Sequence, residues 1–387
     1  MALLSRARLA VRESIDMAKL LTLPVDEREV VVYAEDSFTH IQLGGYLDAL
    51  WAEHGIGYQY VTSDPEDPLL DSPPPGAQVW YIRNQLGRAL SGLTCGVFFT
   101  TMPDLGKFHV PRPKAGKTVY AFHSLNSTHT AYRTGAFDGY DVLFCTGPHH
   151  VEELTRSRAP AVPSLPEVGY HKLDLIRKEH RRWRAAGAVE KDTVLLAPSW
   201  GRQNLLEAHG VEIVEALLAE GFRVIVRPHP QFFHSLYPKG AEVVESLRRR
   251  FKRNNAVEFE LSIDTQDSFH RSSLMISDWS GAAYEYALGT LRPVLFVDTP
   301  QKIFNPEWTT LGLPSFEESM RSVVGRIIPG PQVAQIGVIS AEMIGLSESR
   351  RAEFEVIARS IVFNLGDAAT VGARELASVA AGFGNER

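Results

Sequence analysis

Residues 193–230 read TVLLAPSWGRQNLLEAHGVEIVEALLAEGFRVIVRPHP. Two strand-sized apolar runs, Thr193–Pro198 and Phe222–Val226, flank a segment with the apolar spacing of a helix. That strand, helix, strand order is the unit of a parallel sheet. The runs are continuously apolar instead of alternating, as expected of strands that helices cover on both faces. Working outward, EVVESLRRRFK, AVEFELS, LMISDWS, AAYEYALG and PVLFVDTP continue the series toward the C-terminus. Before it, beyond the basic helical stretch HKLDLIRKEHRRWRAAG, stands a first series: VVVYAED, IQLGGYLDALWAEHG, YQYVT, VWYIR, GVFFT, TVYAFHS and YDVLFCT. The pattern predicts an α/β protein of two Rossmann-like, doubly wound domains, residues 1–168 and 169–345, joined near Val168–Leu173. Residues 346–387 read as helices that pack back across the interdomain region. No internal repeat stands out.

Composition agrees with this class. The 387 residues are 44% hydrophobic and 22% charged, with a formal charge of −6. That charge argues against a general nucleic-acid binder, which needs a net basic face. The apolar runs are far short of the roughly 20 residues of a membrane-spanning helix. The opening MALLSRARLAVRESIDMAKLL has no continuous apolar core of the secretory kind, so the expected location is cytoplasmic. Its Arg6, Arg8 and Arg12 lie among Leu3, Leu4, Leu9, Val11 and Ile15 and could meet an anionic membrane surface, making the protein peripheral at the inner face of the plasma membrane. Packing on the first domain is the favoured reading. Cys95 and Cys145 have no metal-ligand spacing and read as buried thiols.

In open α/β sheets ligands bind beyond the carboxyl ends of the strands, and those positions here are rich in polar residues. The first series delivers His123 and Ser124, then Asn126 and His129, and later His149 and His150. The second delivers Ser199 and Arg202, Arg227 and His229, and Asp278, Ser280 and Gly281. Any one of these could be a helix cap or a satisfied buried histidine; five such strand ends together point to a site. His229 lies between Pro228 and Pro230, which fix its backbone and donate no hydrogen bonds. Ser280 and Gly281 open a helix directly after a strand, where amide N–H groups and the helix dipole suit a phosphate. The plainer reading is that Asp278 and Ser280 only cap that helix. Glu285, further along it, is placed for a ribose hydroxyl or for solvent. His149, His150, Glu152 and Glu153 lack an HExxH spacing, and no metal is expected there. The arginine runs at 181–184 and 248–253 read as solvated helix faces. No phosphate-binding GxxxxGK[ST] or complete GxGxxG motif is present, which disfavours a P-loop kinase and a dehydrogenase, and no cofactor is expected.

Together AFHS at 121–124, VGYHKLD at 168–174, LLAPSW at 195–200, RPHP at 227–230 and ISDWSGAAYEYAL at 276–288 give the chain a resemblance. It resembles the CDP-glycerol glycerophosphotransferase family, the teichoic-acid and capsule polyol-phosphate transferases of GT-B fold, from about His123 onward. The resemblance implies a GT-B-like pair of domains facing across a cleft, the first on the acceptor side and the second holding the nucleotide donor. It implies transfer of glycerol phosphate, or a related polyol phosphate, from a CDP-activated donor to a hydroxyl of a glycan or polyprenol-linked acceptor, with release of CMP. His123 would be the general base and His229 would contact the donor pyrophosphate. Ser280 and the adjoining backbone at Gly281 would hold phosphate oxygens. Ser199, Arg202, Arg227, Asp278 and Glu285 would surround the nucleotide, and Ser124, Asn126 and His129 would face the acceptor. The chain departs from the family pattern in having Ser124 where a glycine is common, and Gly281 where a second hydroxyl residue is common. Two rival readings stand beside this one: a GT-B glycosyltransferase or nucleotide-sugar epimerase using a UDP- or CMP-linked sugar, and an idle scaffold component of a polysaccharide assembly.

Overall fold

A computed structural model describes residues 2–157, 163–188, 192–233, 237–262 and 266–385. Six parallel strands form the first sheet: β1 Val30–Ala34, β2 Tyr58–Thr62, β3 Ala77–Tyr81, β4 Thr94–Thr100, β5 Lys114–Ala121 and β6 Val142–Phe144. Six more form the second: β7 Thr193–Leu196, β8 Arg223–Val226, β9 Val257–Phe259, β10 Leu274–Ser277, β11 Val294–Asp298 and β12 Gly325–Pro329. Their spatial orders are β3-β2-β1-β4-β5-β6 and β12-β11-β10-β7-β8-β9, so both sheets follow one doubly wound order despite the absence of a sequence repeat. Both domains are thus Rossmann-like, as the runs of apolar residues predicted.

Helices cover both faces of each sheet, and the strands are buried accordingly. In β1 and β4, Val31, Tyr33 and Phe98 enter one core while Val30, Val32 and Phe99 enter the other. In β7, Val194 and Leu196 pack on one side and Leu195 on the other. The strand that sequence reading missed is β12. It lies at the sheet edge, its Ile327 is exposed, and its Gly and Pro ends disguise a short run that pairs only with β11. Cys95 and Cys145 are buried free thiols, each pushed up to about 12 by burial.

The first helix, Ala2–Thr22, lies along the β3 side of the first domain. Its Glu13 accepts from the backbone N–H groups of Arg83 (2.8 Å) and Gln85 (2.6 Å), and its Asp16 from that of Tyr81 (3.0 Å). Val11 and Ile15 remain exposed. Among the described residues no helix is long and apolar enough to cross a membrane.

The chain crosses between the domains twice. Residues 164–170 leave the first sheet beside β6, where Glu167 still bridges to Cys145. They lead into the helix His171–Ala185, which packs on both Gly281–Thr290 and Ser37–His54. The return follows the helix Arg351–Ile361, whose Phe354 and Ala358 belong to the second domain's core. Ala368–Asn385 then packs on Ser37–His54, with Ala373, Leu376 and Ala380 in the first domain's core. Close approach requires a glycine there: a Cβ on Gly372 would lie 2.4 Å from the Tyr46 ring.

Candidate active site

His123 follows β5 and begins a loop whose backbone is gripped from several directions. The His149 Nε2–H donates to the Leu125 carbonyl (2.9 Å) and the His150 Nε2–H to the Asn126 carbonyl (3.0 Å). His150 Nδ1 in turn accepts from Thr146, which sets its neutral tautomer; burial holds both rings below the usual imidazole range, His149 at about 3. Glu153 accepts from the Thr128 N–H and hydroxyl (2.5 and 2.7 Å). Burial alone would raise that carboxyl, but the contacts with His129, His150 and Thr128 hold it down to about 2. The His-His…Glu pattern that resembles a metal cluster in sequence therefore clamps this loop. Among the described residues no group of three or more His, Cys, Asp or Glu is arranged to hold a metal ion.

The same loop is the joint between the domains. The Ser127 hydroxyl accepts from the Phe316 N–H, and the Ser127 N–H faces the buried carboxylate of Glu317 (3.3 Å). Thr130 accepts from the N–H groups of Phe304 (2.9 Å) and Asn305 (3.1 Å). His129 is 6% exposed and donates to the Leu313 carbonyl (3.3 Å), so the structure places it inside this joint. Asn126 faces the second domain: a Cβ on Gly281 would stand 2.5 Å from its Oδ1, a buried oxygen without a hydrogen-bond partner. Ser124 is partly exposed, and its hydroxyl accepts from the Asn126 N–H (3.4 Å).

The His123 ring lies edge-on to Tyr132, with its Nδ1 buried and unpartnered. Burial, then the nearby Lys172 ammonium, lower its pKa to about 4 against the opposing pull of Glu285 and Asp36, so the ring is neutral at neutral pH. Beneath it lies a cluster of which sequence reading singled out only Glu285. The Tyr170 hydroxyl contacts both the His123 carbonyl (2.7 Å) and Glu285 Oε1 (2.6 Å), and Lys172 Nζ donates to both Glu285 oxygens (2.8 and 3.0 Å). Glu285 is 5% exposed, so it faces this cluster and not solvent.

Across the cleft, Asp278 is fully buried, and three backbone N–H groups donate to it: Ser199 (2.6 Å), Trp279 (2.7 Å) and Leu205 (3.2 Å). Its carboxylate pins the loop after β7 to the end of β10. Ser199 and Ser280 are each 5% exposed. Ser280 precedes the helix Gly281–Thr290 without capping it through its side chain, so its hydroxyl is not consumed by the plainer role that sequence allowed. His229 Nδ1 accepts from the Gln231 N–H (3.2 Å), which leaves Nε2 as the donor of the neutral ring, and the ring lies 6.1 Å from that of Trp200.

The structure therefore brings His123, Ser124, Asn126, Ser280, Gly281 and Glu285 to one interdomain contact, with Ser199 and Asp278 beside it. It does not bring the two arginines there. Arg227 pairs with Glu260 and contacts Ser268 (3.3 Å), and Arg202 is exposed on the loop after β7. A neutral imidazole can accept a proton, and the amide N–H groups at the N-terminal end of a helix can hold an anion.

Neither a protein-family model nor a curated protein matches the chain. Solved structures do. The wall teichoic acid polymerase TagF, as a histidine-to-asparagine variant, superposes with a TM-score of 0.62 over 99% of both chains at 11% identity. The same variant soaked with CDPG gives 0.61 over 98% of this chain and 96% of that chain at 12% identity. The UDP-GlcNAc 2-epimerase of Methanocaldococcus jannaschii, in complex with UDP-GlcNAc and UDP, gives 0.56 over 90% of this chain and 99% of that chain at 13% identity. These likenesses establish the fold: two Rossmann-like domains in the GT-B arrangement.

Proposed function

We propose that the protein belongs with the CDP-glycerol glycerophosphotransferases and transfers glycerol phosphate, or a related polyol phosphate, from a CDP-activated donor to a hydroxyl of a glycan or lipid-linked acceptor. The observation that carries this reading is the contact of Asn126 with Gly281, which brings the loop that begins at the neutral His123 against a helix N-terminus that the Ser280 side chain does not cap.

His123 accepts the proton of the acceptor hydroxyl as its oxygen attacks the phosphorus that carries the polyol. The bond from that phosphorus to the bridging oxygen breaks, and CMP leaves with the bridging oxygen. His229, as an Nε2–H donor, and Ser280 with the Gly281 amide stabilise charge on the phosphate oxygens, the main contribution protein groups make to phosphoryl transfer. Arrival of a dianionic diphosphate raises the His123 pKa toward the useful range, because a nearby negative charge favours imidazolium. Ser199 stands on the loop for the nucleotide. Asp278 and Glu285 position that loop and the helix, and Arg227 acts through the RPHP backbone. The protein works in the cytoplasm, peripherally at the inner face of the membrane when its acceptor is lipid-linked.

The likeness to the epimerase supports the rival, a sugar-nucleotide enzyme, and one experiment separates the two. The protein is incubated with CDP-glycerol, CDP-ribitol, CMP-Kdo and UDP-GlcNAc in turn, with hydroxyl acceptors supplied, while melting temperature and nucleotide release are followed. CDP-polyols are expected to stabilise the fold and yield CMP, with both effects weakened in His229→Ala. Stabilisation by UDP-GlcNAc alone would overturn the phosphotransfer reading and leave the fold assignment intact.

A further inference from the structure

Lys302 follows β11, at the same edge of the second sheet as Asp278, Ser280 and His229. Its ammonium sits 4.2 Å from the centroid of the Trp200 ring and 4.9 Å from that of Phe304, and Trp200 adjoins His229. Among the described residues it makes no ion pair. The carboxylates that face it are Asp278, whose oxygens are engaged by three amides, and Glu317, which lies against Ser127. Burial brings its pKa down to about 7. A half-buried ammonium without a counterion is costly, and aromatic faces attract such a cation without neutralising it. Phosphoryl transfer needs positive charge at the leaving group, and of the two arginines that sequence placed around the nucleotide, Arg227 pairs with Glu260 and Arg202 is exposed.

We propose that Lys302 is the cation that binds the diphosphate of a nucleotide donor in this cleft. The assignment rests on the nucleotide-donor reading above and adds a group to it. When the bond to the departing nucleotide breaks, the electron pair stays on the bridging oxygen, and the Lys302 ammonium stabilises the charge gathered there. Phe304 and Asn305 are tied to Thr130 of the first domain, so the lysine is held in place by the same joint that carries the His123 loop.

The test is calorimetric titration of wild-type protein, Lys302→Met and Lys302→Arg with CDP-glycerol, UDP-GlcNAc and inorganic pyrophosphate at pH 7.5, in buffers of differing ionisation enthalpy. A group of pKa about 7 that becomes fully protonated on binding takes up roughly 0.8 proton at that pH. Wild type is expected to show this uptake above whatever Lys302→Arg retains, since arginine stays charged throughout. Lys302→Met, which preserves the stem over Trp200, is expected to bind at least tenfold more weakly. Binding of Lys302→Met within twofold of wild type with the same uptake overturns the proposal, and so does failure of all three diphosphates to bind wild type. Lys302-dependent binding of CDP-glycerol without release of CMP when hydroxyl acceptors are supplied would overturn the transfer reading alone.

Discussion

Replacing Lys172 with methionine removes the cation from a pair whose side chains are only 9% and 7% exposed, and strands the Glu285 carboxylate against the Tyr170 hydroxyl. Breaking a buried pair from one side costs about 3–5 kcal/mol, because the remaining charge has lost both water and partner. Replacing both members with apolar residues of similar volume is often neutral, so Lys172→Met/Glu285→Leu should be more stable than Lys172→Met. Tyr170 keeps the His123 carbonyl as its acceptor in the double variant. The same pair tunes His123. With the ammonium gone and the carboxylate left, the imidazole should rise from about 4, whereas burial keeps it low in the double variant. Urea unfolding gives the stabilities, and NMR titration of the histidine ring signals gives the pKa. A single variant that loses less than about 1 kcal/mol, or a double variant less stable than the single, would refute the reasoning.

Asp278→Ala leaves three buried N–H groups without an acceptor and should cost roughly 3–5 kcal/mol in denaturant unfolding, with Asp278→Asn about half as severe; a loss below about 1 kcal/mol would sink its clamping role. Glu317 is pushed up to about 7 by burial from an ordinary 4.5, so the folded protein keeps a proton that the unfolded chain releases. Stability should therefore fall as pH rises from about 4.5 to about 7, by about 3 kcal/mol at most, and Glu317→Gln should flatten that part of the profile. An identical slope in both proteins would show that another group titrates. Gly281→Ala drives a methyl toward Asn126 Oδ1, the end of a flexible side chain; stability should change by less than about 1 kcal/mol while diphosphate ligands bind more weakly, and unaltered binding would remove this contact from the site.

The fold was legible best where burial on both faces forced a strand to be continuously apolar, as in β1, β4, β7, β10 and β11; β12, whose outer side meets solvent, lacks that signal. The histidines were legible because the end of a parallel strand is where a doubly wound sheet presents polar groups. Tyr170, Lys172, Trp200, Lys302 and Glu317 were not, and one physical reason covers them. They belong to crossings, loops and helix starts whose partners lie across the domain joint or more than a hundred residues away, so no local spacing encodes them. Lys172 stood within VGYHKLD, quoted for its likeness to a family and given no role. Its location one residue into a helix that meets both domains was the available signal. Asp278 and Glu285 show the opposite limit: sequence placed them in the right neighbourhood, yet their acceptor oxygens are taken up by backbone amides and by Lys172 and Tyr170.

The two crossings lie side by side. The Phe363 N–H donates to the Thr146 carbonyl (2.9 Å), Asn364 reaches the carbonyls of Glu167 and Val168, and the N–H groups of Gly366 (2.7 Å) and Ala368 (3.1 Å) both end on Asp174. Mechanically this is a hinge with two leaves cross-linked along their length. A single strand of chain would let the domains swivel freely, whereas two bound together leave one soft axis and resist twist. A protease nick in the first leaf would part the chain into two fragments held only by packing, because the helix Ala368–Asn385 grips the first domain through its buried face and no disulfide joins the pieces. Both leaves converge on one side of the molecule, so they fix the register in which the faces at 123–130 and 278–281 meet.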